Sequence, residues 1–187
     1  MLQLATERKK WTYQDYLQLG EGIVFEIIEG ERIVTPAPNW QHQRISRRLE
    51  ALMYKYLENR KLGELFHAPV DVVLDETTVV QPDILFISQK NLQILQKEHS
   101  GIMGTPDLVI EIISPSSFYR DLHEKKDLYE KFHIPEYWII DPANKAIEVF
   151  SLENNKYQLH ALATGTGKVT SKVLDGFEVA VTEIIGG

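Results

Sequence analysis

The sequence predicts an α/β fold of the α+β kind: a mixed central β-sheet flanked by helices, with an N-terminal β-hairpin. Two observations point there. Aliphatic residues recur in strand-length blocks separated by turn residues, as in GIVFEIIEGERIV, VVQPDILFIS, TPDLVIEIIS and EYWIIDPANKAIEVF. Between the first two blocks, a single long segment from Trp40 to Asn59 carries apolar residues at helical spacing instead. A helix leads into strands, one long helix crosses back, and more strands follow. With no internal repeat, low-complexity tract or linker, residues 1–187 are expected to form one domain.

Taken in order, Trp11 to Leu19 is predicted to be a short helix with Thr12 as its N-cap and Asp15 in its first turn. GIVFEIIEGERIVTPAP reads as two strands joined by a tight turn at Glu29-Gly30. Asn39 then caps the long helix, whose inner side carries Ile45, Leu49, Leu52 and Tyr56 while Arg44, Arg48 and Lys55 lie on another side. APVDVVLDETTVVQPDILFIS is expected to supply two more strands, NLQILQKEH a short helix, TPDLVIEIIS a central strand and Arg120 to His133 another helix. EYWIIDPANKAIEVFSL reads as a hairpin turning at Asp141 to Asn144, and the tail from Tyr157 as short strands with Gly-rich turns.

Composition bounds the function. The chain has 43% hydrophobic and 25% charged residues, ordinary for a globular protein, and no cysteine. That excludes a disulfide framework, a thiolate nucleophile and zinc-finger ligation, and is compatible with a reducing compartment. The start MLQLATERKKWTYQDY has no apolar signal core, and no run approaches the roughly 18 apolar residues of a membrane span. A cytoplasmic protein with no membrane association is expected. A net charge of -7 argues against non-specific coating of nucleic acid, which relies on many cations, but not against a local basic patch.

Within this frame one residue stands out. In the central strand, Glu111 shares a face with Val109 and Ile113, while Leu108, Ile110 and Ile112 point the other way. Both faces are apolar, so an isolated ionised carboxylate there would cost several kcal/mol, and Glu111 requires a cation, hydrogen-bond donors or a shifted pKa. The preceding strand repeats the oddity: Asp83 follows Pro82 at the entry to an apolar run, on the face of Leu85 and Ile87. If the two strands pair, the acids converge near one sheet edge; otherwise an acid at a strand end, Asp83 or Asp107, is a turn or cap residue. In the next helix Leu122, Leu128, Tyr129 and Phe132 define an apolar arc centred near Lys125. Lys125 therefore points inward, unless it snorkels to water. Asp121 sits near the same arc one turn earlier, where it could equally complement the helix dipole.

Two acids on strands and one lysine on a helix make a recognisable chemical set. Hard oxygen ligands suit Mg²⁺, and an ammonium orients water or stabilises charge developing on phosphorus. The implied reaction is metal-assisted phosphodiester hydrolysis.

Pro82-Asp83, then Glu111 to Ser114, then DLHEKKDLY and IPEYWIIDP, in that order over about Tyr13 to Phe150, resemble the Uma-type endonuclease family. This is a bacterial group within the PD-(D/E)XK nuclease superfamily, with the restriction-endonuclease-like fold. The resemblance implies a Mg²⁺- or Mn²⁺-dependent endonuclease acting on DNA, with Asp83 and Glu111 as metal ligands aided by the backbone carbonyl of Ile112. Where the superfamily has its lysine this chain has Ile113, and the family pattern implies that Lys125 takes the catalytic role. His42, inward-facing by its spacing to Leu49, and Glu26 match the family pattern as auxiliary residues. Their alternatives are a core histidine and an exposed edge-strand acid. His67, His99, His123 and His160 match no pattern and read as surface or structural. Homodimers are common in this fold, so a homodimer is expected by resemblance. DNA contact would come from Arg44, Arg47, Arg48 and Lys55 as a basic ridge, or these form only a solvated helix face. The second functional reading is a catalytically degenerate nuclease frame that binds nucleic acid or a protein partner.

Overall fold

The computed structural model describes residues 10–20, 22–114 and 123–186. Helix α1 (Tyr13–Leu17) starts as its sequence predicts: Thr12 and Asp15 form a reciprocal capping box. Strands β1 (Glu26–Ile28) and β2 (Glu31–Ile33) pair antiparallel across Glu29-Gly30, and both turn residues take positive φ, 52° and 85°. That is the backbone a two-residue hairpin turn needs to match strand twist. Helix α2 (Trp40–Leu57) begins at Asn39, whose side chain accepts the N–H of His42.

The segment expected to hold two strands holds three, β4 (Val72–Asp75), β5 (Thr78–Val80) and β6 (Ile84–Ser88), preceded by an unexpected β3 (Gly63–His67). Asp75-Glu76-Thr77 turns β4 back on β5, and the Asp75 side chain accepts the Thr77 N–H. A 3₁₀ turn (Gln89–Ile94) and the two-residue β7 (Ile102–Met103) lead to β8 (Leu108–Ile112). Asp107, just before β8, binds the N–H and hydroxyl of Ser88 and the amide of Asn91, the turn role open to a strand-end acid. Helix α3 (Lys125–Lys131) precedes the hairpin β9 (Glu136–Asp141) and β10 (Ala146–Glu153). The tail forms β11 (Lys156–Thr164), β12 (Lys168–Thr170), β13 (Glu178–Ala180) and a short α4 (Val181–Ile184).

These strands do not make one central sheet. They make a five-stranded sheet in the order β2-β1-β5-β4-β7, a six-stranded sheet in the order β11-β10-β9-β8-β6-β3, and a β12-β13 ribbon. Both large sheets are mixed, each with one parallel pair, β4-β7 and β8-β9. The six-stranded sheet is covered on both faces, which is why every residue of β8 is buried and all but Glu111 are aliphatic. On one face Ile45, Leu49 and Met53 of α2 pack with Ile84, Phe86, Leu108, Ile110, Ile112, Trp138 and Ile140. On the other, Leu128 and Tyr129 of α3 pack with Leu85, Ile87, Val109, Ile113, Tyr137 and Ile139, joined by Val72 and Val80 of the five-stranded sheet. The even-and-odd split follows the pleat. Glu111 belongs to the second face.

Candidate active site

The site begins where β6 ends. Strands β6 and β8 pair antiparallel with Ile84 opposite Ile110 and Leu85 opposite Val109, so continuing the register one residue places Asp83 opposite Glu111. The ladder stops there, and the Asp83 carboxylate replaces it: Oδ2 accepts the N–H of Ile112 at 2.8 Å. The same oxygen lies 3.0 Å from His42 Nε2. A carboxylate oxygen accepts, so Nε2 donates and the first turn of α2 is tied to the start of β6. His42 is buried, and its Nδ1 has no hydrogen-bond partner among the described residues.

Glu111 is 3% exposed, and its Oε1 accepts from Lys125 Nζ at 2.8 Å and from the Tyr129 hydroxyl at 2.6 Å. Lys125 and Tyr129 are four apart on α3, so both reach one carboxylate from one helical face. Lys125 Nζ also lies 2.9 Å from Glu26 Oε1, which accepts the Gln81 N–H at 2.9 Å. Glu26 is not an exposed edge residue: β1 lies between β2 and β5, and Glu26 is 5% exposed. One ammonium thus joins a carboxylate of the five-stranded sheet to a carboxylate of the six-stranded sheet. Burial, and then the negative charges of Glu111 and Glu26, push the Tyr129 hydroxyl well above its ordinary pKa. Tyr129 therefore remains a donor to Glu111 at any working pH.

Glu26, His42, Asp83, Glu111, Ile112 and Lys125 all line one cleft of about 1190 Å³. Asp121 lies outside the described residues.

Comparison with known proteins follows the same line. Residues 13–182 match the family model "Uma2: Putative restriction endonuclease". The chain belongs to the Uma2 family. Among solved structures, the Uma2 chain resembles one described as a "putative nuclease belonging to DUF820" from Anabaena variabilis ATCC 29413. The TM-score is 0.75 at 19% identity, covering 93% of this chain and 97% of that one, a likeness of fold. No curated protein matches.

In this Uma2 chain Ile113 is 7% exposed and packs with Leu128 and Tyr129, so the position two after Glu111 serves the core. The ammonium comes instead from α3, which covers the same sheet face. The basic residues divide. Arg44 and Arg47 line the cleft; Lys55 is exposed farther along α2 and does not line it. Arg48 departs from the expected ridge, because its guanidinium donates to the carbonyls of Gly186 at 2.6 Å and Ile184 at 3.4 Å. Sequence reasoning passed over Tyr129 as a functional group, although its spacing of four from Lys125 was visible. It also missed Gln81, whose side chain donates to Asp71 while its N–H serves Glu26. His67, read as surface or structural, lines the cleft.

Among the described residues no three His, Asp or Glu side chains cluster as a metal cage. The donor set nevertheless fits a hard divalent cation that keeps several waters and takes one or two protein carboxylates. Asp83 Oδ1 accepts no hydrogen bond from the described residues, both of its contacts being to Oδ2. In a strand, the carbonyl points to the same side as the N–H of its residue, so the Ile112 oxygen faces the gap left by β6. Charge is mixed: Glu26, Glu50, Asp83 and Glu111 bring four carboxylates to the cleft, against Lys125, Arg44 and Arg47 among the described lining residues.

Proposed function

We propose that this Uma2 protein is a divalent-metal-dependent endonuclease that hydrolyses DNA phosphodiester bonds. The observation that carries the proposal is the convergence of Asp83, Glu111 and Lys125 on one cleft, with Glu26 on the same ammonium. Glu26 and Glu111 share one buried ammonium, with Asp83 a third carboxylate at the end of β6. Hard carboxylate oxygens brought together in this way suit a divalent cation that keeps several waters.

Asp83, Glu111 and the Ile112 carbonyl would hold Mg²⁺ or Mn²⁺. Bound there, the ion would polarise the phosphodiester and make a coordinated water more acidic. The protein's own groups do the rest. His42 fixes the Asp83 carboxylate, and Tyr129 fixes that of Glu111. Glu26 holds Lys125 from the opposite sheet, so that Nζ stands ready to orient the attacking water or donate to a phosphoryl oxygen gaining charge. Arg44 and Arg47 bind flanking phosphates without reading sequence.

The test is cleavage of supercoiled plasmid and circular single-stranded DNA by purified protein with Mg²⁺, Mn²⁺ or EDTA. Cleavage should require metal and fall at least about 100-fold in Asp83→Asn and in Glu111→Gln, each checked for folding by thermal melting. Undiminished cutting by either variant would remove these residues from the site. A folded wild type that binds DNA but never cuts it would favour the alternative, a nuclease frame that binds nucleic acid without hydrolysing it.

A further inference from the structure

The cleft holds one group that phosphodiester hydrolysis alone does not require. Trp40, the first residue of α2, lines the cleft and is 73% exposed, whereas Trp138 is fully buried and Trp11 half-buried. Trp40 lines the same cleft as Asp83 and Glu111. Arg44, one turn later, carries its guanidinium 5.1 Å from the Trp40 ring centroid. Its Nε is shielded from solvent and has no hydrogen-bond partner among the described residues. Val24, Pro36, Ala37 and Pro38 also line the cleft, giving it an apolar wall where phosphate alone would call only for cations.

An open indole beside an arginine and an apolar wall matches a nucleobase with its phosphate. In a duplex the base faces are covered by their neighbours, and only edges and backbone are offered. In a single strand every base has an open face for stacking. We infer that, given the nucleic-acid reading above, the cleft takes an unpaired nucleotide, its base stacked on Trp40 and its phosphate on Arg44 and Arg47. Single-stranded DNA is then the preferred ligand over intact duplex.

Binding in EDTA separates this inference from catalysis. A labelled deoxyoligonucleotide, the same strand annealed to its complement, and that duplex with an internal unpaired bubble are titrated with the full chain by fluorescence anisotropy. Single strand and bubble should bind about tenfold tighter than duplex. Trp40→Ala should weaken the first two about tenfold and leave duplex unchanged, while Trp40→Phe keeps most of the affinity. Tight binding of single strand with weak binding of the bubble would still support the inference, with free strands rather than opened duplex as the source. Equal affinity for single strand and duplex, or equal losses on both in Trp40→Ala, would overturn the inference and leave the proposed hydrolysis standing. Binding of neither form would overturn the inference, while the proposed hydrolysis is judged by cleavage with metal. Failure of the wild type to cut with metal bears on the hydrolysis alone.

Discussion

Lys125 is expected to hold the two sheets together at the site, and replacing it by methionine tests this directly. The side chains of Lys125, Glu26 and Glu111 are 6%, 6% and 5% exposed, and Nζ lies 2.9 and 2.8 Å from the two carboxylates. Methionine preserves most of the volume and removes the charge. Glu26 keeps the Gln81 N–H and Glu111 keeps the Tyr129 hydroxyl, but two dry carboxylates lose their cation. Breaking a buried pair in this way costs about 3–5 kcal/mol, against about 0–1 for an exposed one. For a chain of this size that is a fall in Tm of roughly 6–20 °C. The triple variant Glu26→Gln, Lys125→Met, Glu111→Gln should recover most of the loss, since removing all the charges together leaves none uncompensated. Urea and thermal unfolding followed by circular dichroism give both numbers. A single variant within about 1 kcal/mol of wild type, or a triple variant no better than the single, would refute the clamp.

Three other outcomes are expected. Glu136 is fully buried at the start of β9 and accepts from Trp138 Nε1, the Ser171 hydroxyl and the N–H groups of Lys172 and Val173. Glu136→Ala should orphan these donors and cost about 3 kcal/mol or more in urea unfolding, while DNA affinity stays unchanged. Tyr129→Phe fills the same space without the hydroxyl, and should lower stability by about 1.5–3 kcal/mol, measured the same way. Burial raises the Asp71 pKa above its ordinary value of 3.8, although the Gln81 and Tyr16 hydrogen bonds pull it back. From 3.8 up to that raised value the folded chain keeps a proton that the unfolded chain has lost, so Asp71 lowers stability as pH rises through this window. Urea melts across that range should show Asp71→Asn gaining on wild type as pH increases; a flat or falling difference would contradict the assignment.

Local signals in the chain accounted for much of this architecture. The Thr12 cap, the Glu29-Gly30 turn, the Asn39 cap and the β9-β10 hairpin all depend on residues within a few positions of one another, and all stand where the sequence places them. Short or weakly patterned strands were not legible. Strand β3 mixes Gly63, Glu64 and His67 with two partly buried apolar residues, Leu65 and Phe66, and it is held by pairing to β6 rather than by its own pattern. Likewise β11 runs nine residues, largely exposed, because β10 offers a partner along its length.

The candidate site divides along the same line. Alternation in β8 and the helical period of α3 were enough to set Glu111 and Lys125 on inward faces, because a side chain's direction follows from its own element. That both face the same interior, that Glu26 reaches the same ammonium from a second sheet, and that Arg48 turns away to the C-terminal carbonyls depend on contacts between residues far apart in the chain. Periodicity says which side of an element a residue occupies. Which other element meets it there is decided by strand pairing and packing, and here those interactions bring the two sheets together around Lys125.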